Sequence, residues 1–267
     1  MVHKDYKKLC ELSIPLVRAV GAFISKELGK VSNEQIEVKD RNSLVSYVDK
    51  EAEKQLVQGL KDILPEAGFI TEEGTVEQGG AGALWIIDPL DGTSNFLHNI
   101  PHFAVSVGLE VDGVLRVGIV LDVMREECFY AWEGGGAYLN DHPISVSGTP
   151  SIDSAIVGTG FPYDPVHVRP LMDTLEYFVV HGRGIRRMGA AALDLAYVAS
   201  GRLDVYYEST LNSWDIAGGA VIVKEAGGIV SDFNGGNTFL NSGRIIVANP
   251  KLHGQAQGVL SKHFDLL

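Results

Sequence analysis

Two cysteines in 267 residues, Cys10 and Cys128, are too few for a disulfide framework, and neither stands in a Cys-x-x-Cys or Cys/His spacing that would hold zinc. That scarcity suits a reducing compartment, and a cytoplasmic location is expected. Clusters of lysine and arginine are missing as well: 22 basic residues face 34 acidic ones, for a net charge of −12. The phosphate backbone of a nucleic acid finds no electrostatic footprint on such a chain, so no direct nucleic-acid partner is expected. No apolar run approaches the roughly 20 residues of a membrane span. The N-terminus has Lys4, Asp5, Lys7, Lys8 and Glu11 where a signal peptide would have its apolar stretch, so no membrane partner is expected either. The eight histidines, His98 and His102 around Pro101 among them, show no ligand spacing. Internal repeats, low-complexity tracts and long linkers are absent too.

Apolar residues make up 45% of the chain, enough to fill one large domain or two closely packed halves. Residues 5–28 place Leu9, Leu12, Leu16, Val17, Val20, Phe23, Ile24 and Leu28 at helical spacing, with Pro15 inside and Gly29 as terminator. After a polar connection around Lys39 to Ser43, a second helix runs from about Ser46 to Ile63, with Ala52, Leu56 and Leu60 on one face and Pro65 ending it. Ala83 to Ile87 is too short for a helix and reads as a buried strand. Phe103–Leu109 and Val114–Leu121 flank an Asp112-Gly113 hairpin, and Glu127–Trp132 and Gly136–Leu139 extend an antiparallel meander. From about residue 150 the texture alternates. Strands at 155–159, 185–188, 203–207 and 245–248 are interleaved with helices at 166–180, 191–200 and 215–226. Residues 1–149 are therefore expected to form an antiparallel-sheet α+β half and residues 150–267 an α/β half, sharing one interface.

The segment Trp85-Ile86-Ile87-Asp88-Pro89-Leu90-Asp91-Gly92-Thr93-Ser94-Asn95-Phe96 carries the most chemistry. Two carboxylates three residues apart at a strand end, with Pro89 fixing the turn and Gly92 allowing close backbone approach, can face one point in space. Magnesium takes oxygen ligands in near-octahedral array and keeps several waters, so carboxylates with a main-chain carbonyl suit it. An Asp-Pro-x-Asp-Gly stretch alone is also an ordinary turn. The buried strand before it, Thr93 after it and two further acidic motifs favour the functional reading. These motifs are Phe69-Ile70-Thr71-Glu72-Glu73-Gly74 and Trp214-Asp215-Ile216-Ala217-Gly218-Gly219-Ala220, the latter followed by Glu225-Ala226-Gly227-Gly228. Alone, the Glu72-Glu73 pair reads as solvated charge and Asp215 as a residue favoured at a helix N-terminus. Backbone N–H groups at Gly92 and Thr93, at the start of a helix through Ser94 and Asn95, are expected to hold phosphate oxygens.

In order and wording these segments resemble the signature of the inositol monophosphatase family of lithium-sensitive, magnesium-dependent phosphatases. The resemblance runs from Leu44-Val45-Ser46-Tyr47-Val48-Asp49 to Gly227-Gly228. It implies an α-β-α-β-α layered fold, with the site between the halves, and a homodimer. It implies two or three Mg2+ ions per site and a small phosphate monoester as substrate. Glu72, Asp88 and the Leu90 carbonyl would hold the first ion, and Asp88, Asp91 and Asp215 the second. Thr93 with Asp49 would orient and deprotonate the attacking water. Asp49 also fits a capping box with Ser46, and both readings can hold. Asp91, Gly92, Thr93, Asp215, Glu208 and the backbone of Ala191 would contact the substrate. Ala190 departs from the Ser or Thr that many relatives carry there. Arg186 and Arg187 are read as surface residues that pair with acids or meet a partner subunit.

Close alternatives share the metal cluster. The nucleotide branch of the superfamily reads Gly-Thr-Lys-Glu-Phe where this chain has Gly92-Thr93-Ser94-Asn95-Phe96. Fructose 1,6-bisphosphate, or a broad range of sugar phosphates, is the alternative substrate class. A different class again is a regulatory interaction protein, since some bacterial relatives associate with transcription machinery.

Overall fold

The computed structural model describes residues 5–40, 43–80, 82–162 and 165–264. Helix α1 (Tyr6–Glu27) starts after Asp5, whose carboxylate accepts the Lys8 N–H, and stops before Gly29 at φ 77°. The polar connection expected near Lys39 to Ser43 contains a small antiparallel pair, β1 (Glu37–Asp40) and β2 (Ser43–Val45), and residues 41 and 42 lie outside the described residues. Helix α2 (Tyr47–Ile63) is capped by Ser46.

Seven strands form the first sheet in sequence order: β3 (Gly68–Thr71), β4 (Ala83–Asp91), β5 (Ala104–Val111), β6 (Val114–Asp122), β7 (Glu127–Trp132), β8 (Gly136–Leu139) and β9 (His142–Ile144). The meander is antiparallel as expected, except that β3, not foreseen as a strand, lies parallel to β4. A short helix, α3 (Thr93–Leu97), follows β4. Between β5 and β6, Asp112 and Gly113 both take positive φ, as a primed hairpin turn requires.

The rest of the chain alternates: β10 (Ile156–Thr159), α4 (Val168–His181), β11 (Gly184–Arg186), α5 (Ala191–Ala199), β12 (Val205–Glu208), α6 (Ser213–Glu225), β13 (Ile229–Ser231), α7 (Phe239–Ser242), β14 (Ile245–Ala248) and α8 (His253–Phe264). The five strands stand in the order β11-β10-β12-β14-β13. β10 is parallel to both neighbours and β14 antiparallel to both of its own.

Period-two alternation distributes these strands' side chains among three apolar clusters. α1 and α2 pack on one face of the seven-stranded sheet through Val105, Val107, Ile119 and Leu121. Ala104, Val120, Phe129 and Ala131, on the opposite face, meet α5 and α6, which also cover Tyr206, Ile245 and Val247 of the second sheet. Val205, Tyr207, Ile246 and Ala248 point the other way, onto α4 and α8. The layers therefore run α-β-α-β-α. α6 lies unusually close to the first sheet: a Cβ on Gly118 would sit 2.2 Å from the Gly218 carbonyl oxygen. Only glycine permits that approach of α6 to β6.

Candidate active site

Residues three apart on an unbroken strand point to opposite faces. β4 was expected to stop at Ile87, yet it continues through Asp91 by means of a bulge: Asp88 pairs with Ser106 and Asp91 with Ala104, three residues against two. The extra residue turns both carboxylates toward one cavity of about 130 Å³, which Glu72, Leu90, Thr93 and Asp215 also line. Gly92 follows at φ 89°, where a Cβ would lie 3.1 Å from the carbonyl oxygens of both Gly189 and His102. α3 has five residues. A helix that short brings little macrodipole, so an anion there relies on individual N–H groups.

Three of the cavity's carboxylates are each pinned by a backbone N–H. Asp88 Oδ1 accepts from Leu90 (2.9 Å), Asp91 Oδ2 from Ala192 at the start of α5 (2.7 Å), and Asp215 Oδ2 from Asn212, its capping-box partner on α6 (2.6 Å). Asp49 forms the expected capping box with Ser46 and also reaches Thr93. One oxygen accepts the Ser46 N–H and hydroxyl (2.9 and 2.8 Å), and the other lies 3.0 Å from Thr93 Oγ1. The Thr93 hydroxyl is equally close to the Leu90 carbonyl, at 3.0 Å.

These acids repel one another. Burial raises Asp88 well above the ordinary aspartate range, and Glu72, Asp91 and Asp215 add to the rise. Asp91 is raised well above it too, by burial and then by Asp215. Asp215 is pushed up to about 6 by burial, against the lowering effect of the Asn212 N–H and of a hydrogen bond with Asp88. Glu208 is pushed up to about 7 by burial, with Asp215 raising it and the Tyr206 hydroxyl and Arg187 opposing. Glu72, Asp88, Asp91 and Asp215, all lining the cavity, form an oxygen-only donor set, which fits a hard divalent cation such as Mg2+. Among the described residues, no three His, Cys, Asp or Glu side chains already converge as a finished metal cage; the carboxylates rim the cavity instead.

Asp49, Ala191 and Glu208 are not in the cavity wall. Asp49 meets it through Thr93, Ala191 is buried at the start of α5, and Glu208, the last residue of β12, bonds the Tyr206 hydroxyl. Arg187 is exposed, as expected of a surface residue, but it also lines the cavity, with its guanidinium 5.1 Å from the centre of the Phe161 ring. Asn95 was read only as a helix residue. Its amide donates to the carbonyls of His102 (2.8 Å) and Met188 (2.9 Å), tying α3 to the segment before α5. One usable signal for Arg187 was its place two residues before Gly189, which packs against Gly92.

A layered α-β-α-β-α fold with a bulged Asp-Pro-x-Asp strand and an acid-lined cavity at the start of α6 defines a class. The chain belongs to the inositol monophosphatase family, which it matches over residues 5–265. It is 42% identical over 249 residues to the Nus factor SuhB of Pseudomonas aeruginosa, covering 91% of this chain and 92% of that one. To the inositol-1-monophosphatase of Rhizobium meliloti it is 38% identical over 257 residues, covering 95% and 96%. The solved structure of the extragenic suppressor protein suhB from Bartonella henselae superposes with a TM-score of 0.90 at 37% identity, covering 94% of this chain and 98% of that one.

Proposed function

We propose that this chain is a magnesium-dependent phosphomonoesterase that hydrolyses inositol monophosphates to inositol and inorganic phosphate. The observation that carries this reading is the placement of Glu72, Asp88, Asp91 and Asp215 around one cavity that Leu90 also lines. Family membership supports the reaction class. A chain of net charge −12 repels a doubly charged monoester unless cations reverse the local field. Two or three Mg2+ ions would supply that charge, lower the pKa of a water and stabilise the leaving alkoxide. In this reading Glu72, Asp88 and the Leu90 carbonyl hold one ion, and Asp88, Asp91 and Asp215 another. Thr93 spends its hydroxyl proton on Asp49 or the Leu90 carbonyl, which leaves its oxygen able to accept from, and so orient, the attacking water. The N–H groups of Gly92 and Thr93 face the phosphate, while Glu208, Asp91 and the Ala191 backbone serve the ring hydroxyls.

The same reading takes residues 1–149 as the unit bearing most ligands and 150–267 as the one completing the site; the gap between β9 at Ile144 and β10 at Ile156 supports it. It also takes the protein as a cytoplasmic homodimer. Exposed Val168, Met172 and Val179 along α4 support self-association, and among the described residues no helix is long and apolar enough to cross a membrane. A second reading, association with transcription machinery, is favoured by the name Nus factor on a relative 42% identical, and it is compatible with catalysis. Phosphate release should be measured with inositol 1-phosphate, fructose 1,6-bisphosphate, 2'-AMP and glycerol 2-phosphate, with Mg2+ and with excess EDTA. Mg2+-dependent turnover, fastest on inositol 1-phosphate, is expected. Full turnover in EDTA would end the metal reading, and faster release from fructose 1,6-bisphosphate would move the substrate to the alternative class.

A further inference from the structure

Helix α2 carries two acids on its buried face, one turn apart. Asp49 and Glu53 stand in phase with Leu56 and Leu60, where the pattern calls for apolar residues. Asp49 reaches Thr93. Glu53, with 0% of its surface exposed, accepts four hydrogen bonds, all from the segment that bears Glu72. The donors are Thr71 Oγ1 (2.9 Å), the Glu73 N–H (2.7 Å), the Thr75 N–H (2.7 Å) and Thr75 Oγ1 (2.8 Å). Glu72 is thus bracketed on both sides, and its own N–H donates to the Ile87 carbonyl of β4 (3.3 Å).

A carboxylate is taken out of water only where donors replace its hydration. If α2 needed packing alone at this position, a leucine would continue the stripe. Only a group with two oxygens and no proton can accept all four bonds at once. We propose that Glu53 is a positioning residue for Glu72: it folds the 71–75 segment around its carboxylate, so that Glu72 faces the cavity before any cation arrives. The proposal rests on reading Glu72 as a metal ligand. Partners that orient a ligating side chain are worth roughly 10- to 100-fold in metal affinity.

Glu53→Gln keeps the shape but turns one oxygen into an NH2 that faces a donor. Mg2+ titration by calorimetry should show binding weakened at least about tenfold in Glu53→Gln, and weakened in Glu72→Gln as well. The double variant should bind no more weakly than Glu72→Gln alone, because Glu53 acts only through Glu72. In the metal-free protein, amide exchange at Glu73 and Thr75 should quicken in Glu53→Gln. Thr75→Val, at an exposed residue, removes one donor without threatening the fold and should weaken Mg2+ binding a few-fold. If Glu72→Gln weakens Mg2+ binding while the folded Glu53→Gln (or Thr75→Val, if Glu53→Gln does not fold) leaves it unchanged, the positioning role is wrong. Losses that multiply in full in the double variant overturn it too. If wild type binds no Mg2+, or Glu72→Gln binds it normally, the metal reading itself has failed.

Discussion

Replacing Asp215 by asparagine should make the metal-free protein more stable at pH 8 and leave it inactive. Burial lifts this carboxylate from 3.8 to about 6. Because the folded value lies above the unfolded one, the linked stability is fully present below 3.8 and is lost as pH rises through about 6. Two units at about 1.36 kcal/mol each give a cost near 3 kcal/mol at pH 8. The side chain keeps part of its surface open to cavity water, and that screening reduces the figure to about 1–2 kcal/mol. Asparagine can still accept the Asn212 N–H but carries no charge. At roughly 2–4 °C per kcal/mol for a chain of this size, Asp215→Asn should melt about 2–8 °C above wild type in EDTA at pH 8. The gain should shrink steadily toward pH 4. Added Mg2+ should raise the wild-type Tm, and raise the variant's much less. Scanning calorimetry in both buffers decides the matter. A variant that melts below wild type in EDTA at pH 8, or one whose gain is the same at both pH values, would refute the reasoning.

Thr93→Ala should cut kcat by about 100-fold or more while Mg2+ binding persists, and a normal rate would return Thr93 to a structural role. Glu208→Ala should weaken turnover of inositol 1-phosphate by about 10- to 100-fold, the worth of a hydrogen bond to a charged group, yet affect ring-less glycerol 2-phosphate much less. Equal losses on both would show that Glu208 supports the site generally. Arg187→Gln should raise KM by about fivefold at low salt, an exposed cation being worth ~1 kcal/mol, with the effect fading at high salt. A fall in kcat at unchanged KM would instead place Arg187 among the groups acting on the reaction itself.

The first sheet was readable because its central strands are short apolar runs and Asp112-Gly113 marks a hairpin, and the second because helices separate its strands. Elements that escaped are weakly patterned. β13 has three residues, and α8 builds its buried face from His253 and Ala256 beside Val259, Leu260 and Phe264. The bulge in β4 was hidden because Pro89 reads as the end of a strand. Asp88, Asp91, Glu72 and Asp215 stood out through their wording, whereas Glu53, Asn95 and Arg187 each act through a partner far away in sequence. For Glu53 a local clue did exist, an acid on an apolar stripe.

The bulge, the caps and the elevated proton affinities answer one difficulty. Like charges crowded around a cavity drive apart, so each is held by something that cannot retreat: the N–H of Leu90 for Asp88, of Ala192 for Asp91 and of Asn212 for Asp215. One of those donors lies in α5 and another caps α6, and the buried faces of these two helices fill the layer between the sheets. The apolar core therefore supplies the rigidity that the repulsion would otherwise spend on local opening. With position fixed, the cluster has only proton binding or cation binding left to relieve its charge. Cation binding and proton release are then a single equilibrium. Asp88, Asp91 and Asp215 all hold their protons more tightly than a free aspartate, so on the proposed metal reading the affinity for Mg2+ should strengthen as pH climbs through about 6, where Asp215 gives up its proton.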